Sequence, residues 1–185
     1  MKAGGDDVKF LSVPKDEVRK EVERMIDEYG NTVLRLAYMY LRDRHKAEDA
    51  FQEVFIKVFK KYRGFKGDSN EKTWITRITI NVCKDFCKSS WFKKTILKND
   101  VELSDNNESI DDKMAKDENN HLLYNAVLDL NKAQKDVILL YYYVGHDIRE
   151  ISKILRIPEG TVRSRMYRGR EILRFNLKER VDLSV

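Results

Sequence analysis

The chain has 185 residues and a net charge of +5, and it is 42% hydrophobic and 36% charged, with 2 prolines and 8 glycines. This length accommodates one ordinary domain or two small ones, and the scarcity of helix breakers favours an all-α protein. No apolar run approaches the ~20 residues of a membrane-spanning helix. The first residues also lack the apolar segment of a secretory signal, so we expect a cytoplasmic protein with no membrane insertion.

The residues that usually carry catalysis or bind metals are few and dispersed. Cys83 and Cys87 lie four residues apart, which is one helical turn and not a Cys-x-x-Cys motif, and the histidines (His45, His121 and His146) are scattered. We therefore expect two small, half-buried thiols, no metal site and no cofactor. Because no nucleophile–base pair or phosphate-binding loop is visible either, we do not expect an enzyme.

Charge is segregated along the chain in three blocks. Residues 72–98 contain seven basic residues and one acidic residue, residues 99–120 contain eight acidic and two basic residues, and residues 156–180 contain eight basic and three acidic residues. A uniformly solvated surface seldom separates charge in this way. Two basic blocks on either side of an acidic spacer indicate a nucleic-acid partner.

The first lobe, predicted over residues 14–95, is expected to contain four helices. Apolar residues recur along each of them in steps of three and four, which is the spacing of a helix with one buried face. The third helix has the clearest stripe, from Ala47 through Phe59 to Tyr62. Trp74 lies on the stripe of the fourth helix, so we expect it in the core and not as a stacking platform for bases. The predicted helices span residues 18–29, 32–41, 47–62 and 73–88.

A linker and a second lobe follow. Residues 96–118 are acidic and nearly free of aromatic side chains, so they cannot build a core, and we expect a flexible linker. The second lobe is predicted over residues 119–180, again with four helices. A short helix that ends near Leu155, a turn at residues 156–158 and a longer basic helix have the outline of a helix-turn-helix.

The basic helix, PEGTVRSRMYRGREIL, combines a buried face with a charged one. On a helical wheel, Val162, Met166, Gly169 and Leu173 fall together and are expected to face the core. The opposite ridge carries guanidinium groups, a hydroxyl and an aromatic ring, which is the chemistry that reads base edges in a major groove, whereas arginines at the borders suit phosphates. The alternative is a solvated basic face on an ordinary helix, but the turn before this helix favours a base-reading role. The outward positions are Arg163, Ser164, Tyr167 and Arg168, with Arg165 and Arg170 at the borders.

Two segments carry a family resemblance. The first is AEDAFQEVFIKVFKKYRGFKGDSNEKTWITRITINVCKDF (47–86), and the second is LDLNKAQKDVILLYYYVGHDIREISKILRIPEGTVRSRMYRGREIL (128–173). They resemble the second and fourth conserved regions of a bacterial RNA polymerase sigma factor of the extracytoplasmic-function (ECF) group, in the sigma-70 family. The resemblance implies two helical domains that bind core RNA polymerase and direct it to a −35/−10 promoter.

The resemblance also implies roles for individual residues. The third helix is expected to dock on the clamp helices of the largest polymerase subunit through Asp49, Gln52 and Glu53. The loop after it matches the family's pocket for a base flipped from the −10 element, and flipping costs on the order of a few kcal/mol that the pocket and phosphate contacts must offset. The fourth helix matches the −10 reading and melting segment. The implied −10 residues are Asp68, Ser69, Asn70, Lys72, Arg77, Asn81, Lys84 and Lys88, and the implied −35 residues are Arg163, Ser164, Tyr167 and Arg168, with Thr161 and Arg165 on the DNA backbone.

Partners and alternative functions follow from the same resemblance. The family implies an anti-sigma factor that clamps both lobes. Alone, the chain is expected to bind promoter DNA weakly, because the acidic linker screens the basic lobes and only polymerase spaces the two sites correctly. One alternative is a dimeric helix-turn-helix regulator that binds a palindrome without polymerase, which leaves residues 47–86 unexplained. Another is a helical interaction protein or nucleic-acid enzyme with a basic surface, which predicts no sequence preference or an unexplained turnover.

Overall fold

A computed structural model describes residues 15–65, 67, 70–96 and 118–182. Every regular element in these ranges is helical. Residues 97–117, which hold nearly all of the predicted linker, lie outside the described residues. The first lobe contains α1 (Lys15–Leu41), α2 (Arg44–Lys61), a 3₁₀ turn (Tyr62–Gly64) and α3 (Glu71–Ile96); the second contains α4 (Glu118–Asp129), α5 (Lys132–Ile138), a π-helical segment (Leu139–Tyr143), α6 (Ile148–Leu155) and α7 (Glu159–Asp182).

The first helix is continuous, where the sequence predicted two. The stripes at residues 18–29 and 32–41 both lie on α1, and Gly30 is buried between them. A β-carbon at Gly30 would lie 3.4 Å from Cε2 of Phe51. The missing side chain therefore lets α1 approach α2, and this packing outweighs the ~1 kcal/mol by which glycine disfavours a helix. The predicted break was wrong because this glycine provides close packing rather than a turn.

The core of the first lobe forms where α1, α2 and α3 pack together. Met25 of α1 and Val54 of α2 are fully enclosed. Trp74 is 7% exposed and stacks on Phe65 with ring centroids 4.6 Å apart, so its expected place in the core is confirmed. Phe59 was predicted in the buried stripe, but it is 36% exposed. Its Cα direction lies about 100° from the centre of the stripe at the 3.6-residue period, so it falls at the edge of the interface.

The second lobe consists of shorter helices with well-defined ends. Asn131 begins α5, and its side chain accepts a hydrogen bond from the backbone N–H of Gln134 at 3.0 Å. Asp147 begins α6 in a capping box with Glu150, which satisfies two backbone N–H groups at that end. The helix ends at Arg156, whose φ of +56° is left-handed. The chain then turns directly into α7, and the predicted helix-turn-helix is confirmed.

The two lobes pack against each other. One apolar cluster joins Leu36 and Met39 of α1 and Ile80 of α3 to the second lobe, where Leu140 and Ile151 belong to the same cluster. Since both lobes are helical in the described ranges, the expected all-α class is confirmed. Across those ranges, no helix combines the length and apolar character that a membrane crossing requires.

Candidate nucleic-acid and polymerase interfaces

The orientation of α7 is fixed by its buried face. Val162 is fully buried and Met166 is 4% exposed. Gly169 is also buried, and a β-carbon there would lie 3.0 Å from Cγ1 of Ile138, so α7 and α5 are in close contact. Leu173 is half-buried at the edge of the same cluster. The face expected to point into the core does so, which leaves the opposite ridge toward solvent.

The ridge of α7 presents the predicted −35 residues. Arg163, Ser164 and Arg168 are exposed, and Tyr167 is 61% exposed. The Arg163 guanidinium lies 3.5 Å from the Glu159 carboxylate, a loose contact between exposed groups that a phosphate or base edge can replace. Thr161 and Arg165, expected to contact the DNA backbone, are half-buried on the flanks, and Arg170 is exposed. Their part in DNA binding stays a prediction.

The loop predicted to capture a flipped base is partly described. Asp68 and Ser69 lie outside the described residues. The Oδ1 atom of Asn70 accepts a hydrogen bond from the backbone N–H of Lys72 at 3.0 Å, so this amide holds the start of α3. Lys72 is half-buried, and its Nζ lies beside Gly145 of the second lobe. Asn70 therefore has a structural role at the start of α3, and Lys72 lies at the contact between the lobes.

The basic face of α3 is divided between solvent and the second lobe. Asn81 and Lys88 are exposed and Arg77 is half-buried. Lys84 is different, because its Nζ lies 3.4 Å from the Oδ2 atom of Asp136 on α5. The structure thus does not bring the four predicted strand-holding residues to one open surface.

The residues predicted to dock on polymerase line a groove between α2 and α3. Asp49 and Gln52 are exposed, and Glu53 pairs with Lys57 at 3.3 Å. The groove has a volume of about 600 Å³. Ile56, which is 46% exposed, also lines it. Ile56 was not predicted, because one apolar residue on an otherwise polar helix face gives no periodic signal. Lys46, Val82, Asp85, Phe86 and Ser89 complete the lining.

A polar junction at the lobe interface was also missed. His146 is 2% exposed, and its Nδ1 and Nε2 atoms lie 3.1 Å from Oε2 of Glu150 and 3.0 Å from Oγ1 of Thr76. Thr73 donates a hydrogen bond to the other carboxylate oxygen of Glu150 at 2.9 Å. Burial lowers the pKa of His146, and its contact with Glu150 opposes this effect. The pKa of Glu150 is also lowered: burial favours a higher value, but hydrogen bonds from the backbone of Asp147 and from Thr73 and His146 prevail.

A second polar contact joins the lobes at Asp136, which is 5% exposed. The hydroxyl of Tyr40 on α1 donates a hydrogen bond to its Oδ1 atom at 2.6 Å, and Lys84 approaches its Oδ2 atom. Burial, with the adjacent carboxylate, raises the pKa of Tyr40 well above its ordinary value, so this hydroxyl keeps its proton. Nothing in the sequence pairs Tyr40 with Asp136, since 96 positions separate them.

Among the described residues, the cysteines belong to no cluster of side chains that could hold a metal ion. Cys83 is buried and Cys87 is half-buried, and both are free thiols. Burial, followed by the neighbouring Cys87, raises the pKa of Cys83 to about 12, which leaves it a protonated core side chain.

Comparisons with known proteins match both lobes. The family model "Sigma-70 region 2" matches residues 25–93, and "Sigma-70, region 4" matches residues 120–173. The chain is 30% identical over 159 residues to the ECF RNA polymerase sigma factor SigX of Bacillus subtilis (strain 168), covering 83% of this chain and 82% of SigX. It is also 30% identical over 168 residues to SigW of the same organism, covering 84% and 88%. The ECF sigma-E factor of Escherichia coli K12 is 27% identical over 164 residues, with coverages of 84% and 85%.

Solved structures share the fold. The sigma factor RpoE bound to the anti-sigma factor NepR, from Bartonella quintana, superposes with a TM-score of 0.70 at 19% identity, covering 86% of this chain and 98% of RpoE. CnrH bound to the cytosolic domain of CnrY has a TM-score of 0.64 at 15% identity, with coverages of 89% and 95%. Two conserved sigma regions in order, sequence relatives that span most of the chain and the shared helical fold agree. The chain therefore belongs to the extracytoplasmic-function group of sigma-70 family RNA polymerase sigma factors.

Proposed function

We propose that this sigma factor divides promoter recognition between its lobes: α7 reads the −35 duplex, and α3 with the loop before it holds the −10 strand. As a member of this family, the chain binds core RNA polymerase and directs promoter-specific initiation. The observation that best supports the proposed division is the exposed ridge of α7, set opposite a face that is buried in the core.

The −35 role is argued from geometry and chemistry. A guanidinium can donate two parallel hydrogen bonds to a guanine edge, which contributes about 1–3 kcal/mol of discrimination per pair. Arg163 and Arg168 offer two such groups, while Tyr167 adds a large exposed aromatic surface. Thr161 and Arg165 on the flanks are suited to phosphates, which fix the register of the helix without reading sequence.

The −10 role is argued from charge and placement. Arg77, Asn81, Lys84 and Lys88 recur along one side of α3, so they are suited to follow the phosphates of a separated strand. Asp68, Ser69, Asn70 and Lys72 precede this helix, where a polar pocket would receive a flipped base.

The polymerase-binding surface is proposed to be the groove between α2 and α3. Asp49, Gln52 and Glu53 provide acidic and hydrogen-bonding groups, and Ile56 adds an exposed apolar side chain beside them. Apolar contact within a polar rim is the usual composition of a protein interface. A helical segment of the largest polymerase subunit is the proposed occupant.

An anti-sigma factor is proposed as a further partner. RpoE and CnrH are related in fold, and both were solved with a bound protein, named as the anti-sigma factor in the case of NepR. Because its partners are core polymerase and promoter DNA, we propose that the chain acts in the cytoplasm. Its family is not a catalytic one, and we propose no enzymatic activity of its own.

Run-off transcription from a promoter library tests the proposal. Purified core polymerase is assayed with and without the chain, and we expect new start sites that share a −35 and a −10 motif. Arg168→Ala is expected to weaken selection at −35 alone. If the chain adds no start sites and instead shifts a palindromic duplex without polymerase, the dimeric regulator is the better description.

A further inference from the structure

A cluster of charged side chains joins α1 to the first residue of α3. The Nη2 atom of Arg24 on α1 donates to both carboxylate oxygens of Glu71 at 2.9 Å. Glu71 lies between Asn70 and Lys72, two residues of the proposed −10 surface. We propose that Arg24 is a positioning residue for −10 recognition, which acts through Glu71 on the first turn of α3. The inference rests on the proposed −10 role and adds to it a residue that need not contact DNA.

Arg24 is ordered by its own helix before it reaches α3. Its Nε atom lies 2.9 Å from Glu21 and its Nη1 atom lies 2.9 Å from Glu28, at spacings of three and four residues. Hydrogen bonds to Glu71 and then to Glu21 raise the pKa of Arg24 above its ordinary value, so the guanidinium stays charged. An isolated exposed ion pair contributes little, whereas a guanidinium shared by three carboxylates forms a network whose geometry is already fixed.

Both ends of the loop before α3 lie beside this cluster. Burial, and then the charges of Glu21 and Glu71, raise the pKa of Tyr62 in the 3₁₀ turn that precedes the loop. Closer to the loop, Phe65 stacks on Trp74 with ring centroids 4.6 Å apart. The aromatic stack joins the two ends of the loop at the core, and the ion pair joins the start of α3 to α1. The loop therefore begins and ends at fixed positions, as a preorganised binding site requires.

The charge of Glu71 gives the ion pair a second effect. A carboxylate in the first turn suits the positive end of the helix dipole. Here, however, it adjoins residues proposed to contact a DNA strand, whose phosphates carry the same charge. The Glu71 side chain is 29% exposed, so its carboxylate would repel a nearby phosphate if it were unpaired. Loss of Arg24 would release the first turn of α3 from α1 and also uncover this negative charge, and both changes weaken the binding of a strand.

Variants of the full chain separate the role of Arg24 from a general loss of positive charge. Arg24→Gln removes the charge, and Arg24→Lys keeps the charge without the branched guanidinium. Arg19→Gln is the matched control, because Arg19 lies on the same helix and pairs with Glu23 at 2.9 Å within α1. Each variant is assembled with core polymerase. Circular dichroism, and competition with the wild-type chain for core polymerase, check that each variant is folded and docks.

Fluorescence anisotropy measures binding of the assembled polymerase to a labelled single-stranded oligonucleotide that carries the −10 motif returned by the promoter library. We expect Arg24→Gln to weaken this binding roughly fivefold, the effect of one unit charge uncovered a few ångströms from a phosphate in water. Arg24→Lys should recover part of the loss. Arg19→Gln should stay within about twofold of wild type, since its ion pair lies within α1 and distant exposed charges are screened by salt. Selection at −35 in run-off transcription should be unchanged in all three variants.

A double-mutant cycle tests whether Arg24 acts through Glu71. Once Glu71→Gln has removed the partner, Arg24→Gln should change strand binding by less than about twofold. An equal loss in both backgrounds, or wild-type binding by Arg24→Gln, overturns the inference.

Arg77→Ala separates this result from the proposed −10 role, because Arg77 is proposed to contact the strand directly. If Arg77→Ala weakens strand binding and Arg24→Gln does not, only the positioning role is wrong. If neither variant affects strand binding, the −10 role of α3 fails and the inference fails with it. The same holds if the library returns no −10 motif.

Discussion

Two glycines on α7 make a sharp test of how this helix packs. A β-carbon at Gly169 would lie 3.0 Å from Cγ1 and 3.3 Å from Cδ1 of Ile138, whereas one at Gly160 would meet no described atom within 4 Å. Alanine improves helix propensity at either position by about 0.5–1 kcal/mol. At Gly160 this gain stands alone, and we expect Gly160→Ala to stabilise the chain by about 0.5 kcal/mol near the helix start.

At Gly169 the gain is opposed by overpacking. A methyl group forced into a packed contact typically costs about 1–3 kcal/mol. Ile138 is 3% exposed and β-branched, so its Cγ1 atom cannot rotate away freely. Taking the middle of both ranges, we expect Gly169→Ala to destabilise the chain by about 1 kcal/mol, which corresponds to ~2–4 °C in Tm for a chain of this size.

Urea denaturation followed by circular dichroism measures both effects. A double-mutant cycle with Ile138→Ala isolates the clash, because the gain in helix propensity is the same in both backgrounds, and the coupling between positions 169 and 138 should be about 2 kcal/mol. If Gly169→Ala stabilises the chain as much as Gly160→Ala, the close approach of α7 to α5 is not present in solution, and the reasoning is refuted.

Further predictions concern recognition, pH and backbone strain. Arg168→Ala should reduce −35 discrimination by about 1–3 kcal/mol with −10 selection unchanged in run-off transcription; a uniform loss at both elements would contradict it. Because the pKa of His146 is lowered in the folded chain, its contribution to stability is complete above its unfolded value of about 6.5 and is lost as pH falls below that value toward the folded pKa. Urea midpoints should therefore fall from pH 7 to pH 5, and His146→Gln should flatten this slope; an unchanged slope would show that the histidine is not responsible. Arg156→Gly should raise Tm slightly, because relief of about 1–2 kcal/mol of left-handed strain exceeds the ~0.4–1 kcal/mol entropic cost of glycine; a lower Tm would show that the arginine side chain stabilises the turn.

Periodicity predicted the helices well, and its errors have local causes. The face of α7 was predictable because Val162 and Met166 fix one side of the helix and thereby the other. The predicted break between residues 29 and 32 was wrong, because the sequence does not show that Phe51 packs where a side chain at Gly30 would be. Phe59 was placed in the core because hydrophobicity alone does not mark where an interface ends.

The lobe interface could not be predicted, because its contacts join distant parts of the chain. Tyr40 and Asp136 are 96 positions apart, and Thr73 and Glu150 are 77 apart. Each is an ordinary polar residue on its own helix, with no periodic signal to connect it to the other. The family resemblance describes what each lobe binds and says nothing of how the free lobes pack, so this surface required coordinates.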